Sequence, residues 1–225
     1  MTTLLALLGG DEFHLGTALV DKSLLARSPV GKKRVVILPT AAKEKAEAAC
    51  ATGVKHFRMF NVQAEPVMVV DRASANDKKV AAQVQGASVI YLIDGDPAYL
   101  YATLQGSLVW QAVMEAHGEG AWIAGSNAGA MVLAQRMRDK RGKWGEAFGL
   151  ADGVAVLPGH EKLAEGQGEK MLRGLGYGTV LVGIDSGTGC LTDEEGVWEV
   201  VGAGSATLYF PGGMAIYSSG ETFVL

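Results

Sequence analysis

Short, nearly continuous apolar runs alternate along the chain with longer stretches in which apolar residues recur at helical spacing. The runs at 3–8, 34–38, 66–70, 88–93, 121–124, 153–157 and 180–184 predict strands, since apolar residues on both sides of the pleat suit strands covered on both faces. The stretches 41–60, 75–85, 98–116, 128–137 and 161–175 are rich in alanine at helical periodicity and predict helices. Alternation of this kind predicts an α/β fold, a doubly wound, mostly parallel sheet with helices on both faces. After Cys190 the pattern changes. Runs at 197–201, 206–210, 214–217 and 222–225, separated by glycine-rich turns, predict antiparallel strands that finish the fold. No linker or repeat interrupts the chain, so residues 1–225 are expected to form a single domain.

Sheets of this type bind ligands beyond the carboxyl ends of their strands. The polar residues that follow the runs are Gly9-Gly10-Asp11, Thr40, Asp94-Gly95-Asp96, Asn127, His160 and Asp185-Ser186. The most informative stretch is Gly125-Ser126-Asn127-Ala128-Gly129-Ala130, between the strand run 121–124 and the helical run 128–137. Strand, sharp small-residue turn and helix in that order read as a nucleophile elbow, whose central residue sits in a strained conformation. A working elbow carries serine or cysteine at its centre. Here the centre is Asn127, and a neutral amide is not a useful nucleophile.

Around this turn, Gly95 and Ala128 are candidate oxyanion donors through their backbone N–H groups. Asp96 either lines the site or caps the helix that Pro97 begins. His160 follows a strand and is the candidate general base, although a structural loop histidine reads the same way. His14, His56 and His117 fall in or beside helical stretches and are expected at the surface. Asp139 is a candidate acid to orient His160, and Glu146 is its alternative. Both lie near Arg136, Arg138, Lys140, Arg141 and Lys143, which form either a solvated charged loop or a patch attracting an acidic substrate. Gly9-Gly10-Asp11 lacks the full GxGxxG pattern and reads as a tight turn into a helix or, less completely, as a dinucleotide loop.

Composition narrows the partners. Of 225 residues, 48% are apolar and 20% charged, as in ordinary soluble globular proteins. A net charge of −4 leaves no basic footprint, so no nucleic-acid partner is expected. Cys50 and Cys190 form no CxxC pair, so neither a metal site nor a disulfide framework is expected, and both read as buried thiols. No cofactor is implied. The apolar stretch Leu4 to Leu8 is too short for a signal-peptide core or a membrane span, so no membrane partner and a cytoplasmic location are expected. The apolar C-terminal strands offer an edge for pairing into a homo-oligomer.

The chain resembles the dipeptidase E and cyanophycinase family of serine peptidases, which share a fold with glutamine amidotransferase-like proteins. The family's elbow, G-x-S-A-G-A, is similar to Gly125-Ser126-Asn127-Ala128-Gly129-Ala130. Its G-G-D/N-Q oxyanion loop resembles Asp94-Gly95-Asp96-Pro97, and its Pro-His step resembles Pro158-Gly159-His160 with one inserted glycine. Gly183-Ile184-Asp185-Ser186-Gly187-Thr188 is similar to a G-I-D-E-G-T stretch of cyanophycinases. The resemblance implies a peptidase site with oxyanion donors at Gly95 and Ala128, and Asn127 at the nucleophile position. It also implies that Ser186 stands for a glutamate and Pro97 for a glutamine.

The expectation is therefore a serine-peptidase-like protein deficient in hydrolysis, with a retained pocket for a small peptide or amino-acid-like ligand. One alternative is an active serine-type hydrolase using Ser126 or Ser186. Another is a non-catalytic binding protein on the same fold.

Overall fold

The computed structural model describes residues 4–29, 33–176 and 178–225, so the expected strand residue Thr3 lies outside the described residues. The first half of the chain alternates strands and helices. These are β1 (Leu5–Leu8), α1 (Ala18–Arg27), β2 (Arg34–Leu38), α2 (Ala46–Arg58) and β3 (Gln63–Pro66). They are followed by α3 (Arg72–Ala75), α4 (Lys78–Ala82), β4 (Val89–Leu92), α5 (Pro97–Leu104), α6 (Leu108–Gly118) and β5 (Trp122–Ser126). The second half begins with α7 (Ala128–Leu133), β6 (Ala134–Arg138), β7 (Trp144–Glu146), β8 (Ala151–Pro158) and α8 (Gln167–Leu172). It ends with β9 (Val180–Ile184), β10 (Thr188–Thr192), β11 (Trp198–Gly202), β12 (Ser205–Phe210), β13 (Gly213–Ser218) and β14 (Thr222–Phe223).

The strands form two sheets rather than the one expected. The larger has the order β14-β11-β10-β1-β5-β4-β2-β3, parallel from β1 to β3 and antiparallel from β1 outward through β10. The smaller has the order β13-β12-β9-β8-β6-β7, with parallel pairs only at β6–β8 and β8–β9. The division arises at α7. The predicted helix 128–137 stops at Leu133, and Ala134 turns to extended backbone (φ −69°, ψ 175°). Residues Ala134–Arg138 then pair with β7 and β8, because ladder bonds and burial of Ala134 and Met137 outweigh their helical propensity.

Strands β1, β4 and β5 are buried along their whole length, as their unbroken apolar runs predict. The expected strand 66–70 forms earlier, at Gln63–Pro66. Pro66 is tolerated because β3 is an edge strand, and the bond to β2 that follows it comes from Val67 N–H to the Ile37 carbonyl (2.9 Å). Val67 and Val69 nevertheless stay buried. Three predicted helices are interrupted where the chain supplies its own caps. Asp77 caps α4 through Lys79 N–H, Ser107 caps α6 through Trp110 N–H, and Gly166 precedes α8 at φ 71°. The run 41–60 begins as a 3₁₀ segment broken at Lys43 (φ 52°, ψ −118°) before α2.

His56, expected at the surface, is 2% exposed. Its Nε2 lies 2.7 Å from Asp21 Oδ2, among Phe13, Phe57 and Phe60. Burial raises the Asp21 pKa, and the hydrogen bond to His56 opposes that rise. His14 is exposed, and His117 is half-buried with Nδ1 2.8 Å from the Ala121 carbonyl. Both cysteines are buried and unpaired. Among the described residues, no helix is long and apolar enough to cross a membrane.

Candidate active site

The elbow is formed by β5, Asn127 and α7. Asn127 has φ 49° and ψ −108°, a conformation that costs a non-glycine residue about 1–3 kcal/mol. Neighbouring elements hold it there. Asn127 N–H donates to the Leu8 carbonyl (3.1 Å), which ties the turn to the end of β1. A Cβ on Gly129 would lie 2.1 Å from the Leu92 carbonyl oxygen, so only glycine lets α7 sit this close to β4. Ser126 precedes Asn127 at the end of β5. It is fully buried, and its Oγ donates to Glu12 Oε2 at 2.8 Å.

Gly95 follows β4 at φ 151°, and a Cβ there would fall 1.9 Å from the Ala41 carbonyl oxygen. This close approach seats the Asp94–Asp96 loop on the segment that follows β2. Both expected oxyanion donors meet one carboxylate: Asp94 Oδ1 accepts from Gly95 N–H (2.6 Å) and Ala128 N–H (3.3 Å). Asp94 Oδ2 accepts from Asn127 Nδ2 at 3.2 Å, and Asp94 N–H donates to Glu12 Oε1 at 3.0 Å. Asp96 caps α5 by accepting from Tyr99 N–H (3.1 Å), while its other oxygen meets Lys43 Nζ at 2.9 Å and Lys140 Nζ at 3.6 Å.

The loops carrying the elbow, His160 and Asp185 all meet at Gly9-Gly10. The ideal Cβ position of Gly10 is 2.8 Å from Asn127 Nδ2. Gly159 N–H donates to the Gly9 carbonyl (2.8 Å), and Gly187 N–H to the Gly10 carbonyl (3.2 Å). His160 is engaged on both ring nitrogens. Nδ1 is 3.3 Å from Asp185 Oδ1, and Nε2 is 2.7 Å from the Tyr209 hydroxyl. Asp185 Oδ2 accepts from Ser205 N–H and Oγ at 2.9 and 2.8 Å. Burial, aided by Glu169 and Asp185, raises the Tyr209 pKa, so the phenol keeps its proton. The Tyr209 hydroxyl and the Asp185 carboxylate thus occupy the two ring nitrogens of His160.

The carboxylate beside His160 is thus Asp185 and not Asp139. Asp139 lies in the β6–β7 hairpin, where its Oδ1 accepts from Arg141 and Lys143 N–H at 2.9 and 2.8 Å. A short loop between two charged strands favours that local turn. Ser186 sits beside the Asp185 pair. Its N–H donates to Glu161 Oε2 (2.9 Å), and its Oγ accepts from Lys162 Nζ (2.8 Å). Sequence reasoning singled out Asp185 as a polar residue after a strand and as part of the cyanophycinase-like stretch 183–188, but not as the partner of His160. It passed over Asp94 as a contact of both N–H donors, and over Glu12 and Tyr209 entirely. Tyr209 had no local signal, since it is one aromatic residue on a strand among several. Among the described residues, no group of three or more His, Cys, Asp or Glu side chains is arranged to hold a metal ion.

A strained turn between a buried parallel strand and a helix, with a histidine and a carboxylate paired from two adjoining loops, is the layout of an elbow-type α/β hydrolase. The chain belongs to peptidase family S51, whose model matches residues 4–158. It is 25% identical to the cyanophycinases of Trichormus variabilis and Nostoc sp., over 93% of this chain and 74% of theirs. Its fold is similar to the crystal structure of a peptidase from an acI-B1 Actinobacterium, with a TM-score of 0.90 and 28% identity, covering 100% of this chain and 98% of that one. His160, Asp185 and Tyr209 all lie beyond the segment matched by the family model.

Proposed function

We propose that this S51-family protein is deficient in peptide hydrolysis and uses its elbow to hold a small peptide or amino-acid-like ligand. One observation carries the reading: the strained residue at the tip of the elbow is Asn127, where the chemistry calls for a nucleophile. The surroundings agree with it. Tyr209 and Asp185 take both nitrogens of His160, and Asp94 takes the N–H groups of Gly95 and Ala128. Loss of a nucleophile typically leaves only the residual rate that binding and oxyanion donors supply. The Asn127 amide then serves as a hydrogen-bond donor toward the ligand. Dipeptides and acidic peptides are the assay, with the unaltered protein beside Asn127→Ser. The reading expects no turnover by the unaltered chain. Ordinary turnover that disappears in His160→Ala would overturn it.

A second reading has one observation in its favour. Ser186 Oγ and Lys162 Nζ are 2.8 Å apart, and Ser–Lys pairs serve as nucleophile and base on other folds. Stoichiometric labelling of Ser186 by a fluorophosphonate probe would establish an active hydrolase. Absence of labelling would leave the binding role. Ser126 is a weaker candidate, because it is fully buried and bonded to Glu12. A cytoplasmic location and the absence of nucleic-acid and membrane partners complete the proposal.

A further inference from the structure

The same backbone that presents a nucleophile in an active elbow prepares an asparagine for ring closure. Around the Cα–C bond of an L residue, N and Cβ are set about 120° apart, so a ψ near −120° eclipses Cβ with the next nitrogen. Asn127 has ψ −108°, which leaves the Ala128 nitrogen about 12° from eclipse. Helical and extended backbones, at ψ of roughly −42° and +135°, hold those atoms far from a planar five-membered ring. Ala128 is the first residue of α7, so its N–H has no partner within the helix. That N–H points at Asp94 Oδ1 (3.3 Å), and Asn127 Nδ2 points at Asp94 Oδ2 (3.2 Å). One carboxylate therefore touches both the proton that must leave and the nitrogen that must receive one.

We propose that Asn127 is a self-modification site, at which the Ala128 amide nitrogen closes on the Asn127 side chain with Asp94 as proton carrier. The N–H of Ala128 gives its proton to Asp94, and the nitrogen forms a bond to Asn127 Cγ. The Cγ–Nδ2 bond breaks, and the departing nitrogen takes a proton from Asp94 and leaves as ammonia. The carboxylate is regenerated and a succinimide remains. Water then opens the ring at either carbonyl carbon, leaving aspartate or isoaspartate at position 127. The elbow changes from a neutral hydrogen-bond donor to a carboxylate facing Asp94. The inference goes beyond the proposed function and stands whether or not the elbow binds a peptide.

The test is ageing of the purified chain at mildly alkaline pH, with peptide mass spectrometry after digestion in acid. Asn61 and Asn76, the other two asparagines, serve as internal references. Folding ordinarily protects asparagine. Here Asn127 is expected to convert at least about tenfold faster in the folded chain than in the same chain held in urea, since the fold supplies the attack geometry. The intermediate is lighter than the parent by one ammonia. Asp94→Ala, checked for folding by circular dichroism, is expected to slow conversion severalfold. Asn127 surviving in the folded chain as long as in urea would overturn the inference, as would an unchanged rate in a folded D94A. The comparison of folded and unfolded wild-type chain decides the matter even where D94A does not fold.

Discussion

Gly129→Ala tests whether the elbow depends on close packing of α7 against the central sheet. The added Cβ would lie 2.1 Å from the Leu92 carbonyl oxygen and 2.8 Å from its carbon. Both opposing atoms are backbone, on a strand paired on both sides with β2 and β5, so no side chain can swing aside. Relief requires α7 or β4 to move by about an ångström, and overpacking against a rigid core costs about 1–3 kcal/mol. The upper end applies here, because β4 is fully buried. A loss of about 3 kcal/mol lowers the melting temperature of a domain this size by about 6–12 °C. Thermal and urea unfolding measure it. Gly118→Ala is the control: nothing lies within 4 Å of its added Cβ, and it ends α6. That change is expected to be neutral or to stabilise by up to about 1 kcal/mol. If G129A unfolds within about 0.5 kcal/mol of the parent, as an unconstrained surface site would, the packing account of the elbow is wrong.

Asp185→Asn replaces a carboxylate that accepts two bonds from Ser205 and faces His160, and is expected to cost about 2 kcal/mol in urea unfolding. An unchanged midpoint would remove Asp185 from the support of His160. Burial pushes the Cys50 thiol up to about 11 and the Cys190 thiol up to about 12, so neither is expected to react with alkylating reagents until the chain unfolds. The same shifts set a pH dependence. Above the ordinary thiol pKa of 9.0 the unfolded chain loses protons that the folded chain keeps, so stability falls as pH rises from there toward about 11 for Cys50 and 12 for Cys190. Replacing both cysteines by alanine is expected to flatten that decline, as read from unfolding midpoints across alkaline pH.

Much of the larger sheet was legible because its strands are covered on both faces. Arg34–Leu38 falls where its apolar run predicts, and in the smaller sheet so does Val180–Ile184. The helices were less legible. Propensity averages over a window, whereas Asp77, Ser107 and Gly166 act at single positions to start and stop short helices. His56 was misplaced because its burial depends on Asp21, which lies 35 positions away on another helix.

By itself the sequence determined the α/β class and the elbow at Asn127, since a strand run, small residues and a helical run are local in the chain. It also put the loops of the candidate site at the carboxyl ends of the strands. Tertiary structure alone decided which groups meet there. It brought Asp94 onto the N–H groups of Gly95 and Ala128, set Asp185 and Tyr209 on the two nitrogens of His160, and left Asp139 in a hairpin. Those partners are fixed by strand order and by close approaches at Gly9, Gly10 and Gly95. A hydrogen bond needs a few ångströms of agreement between segments that sequence patterns describe only one at a time.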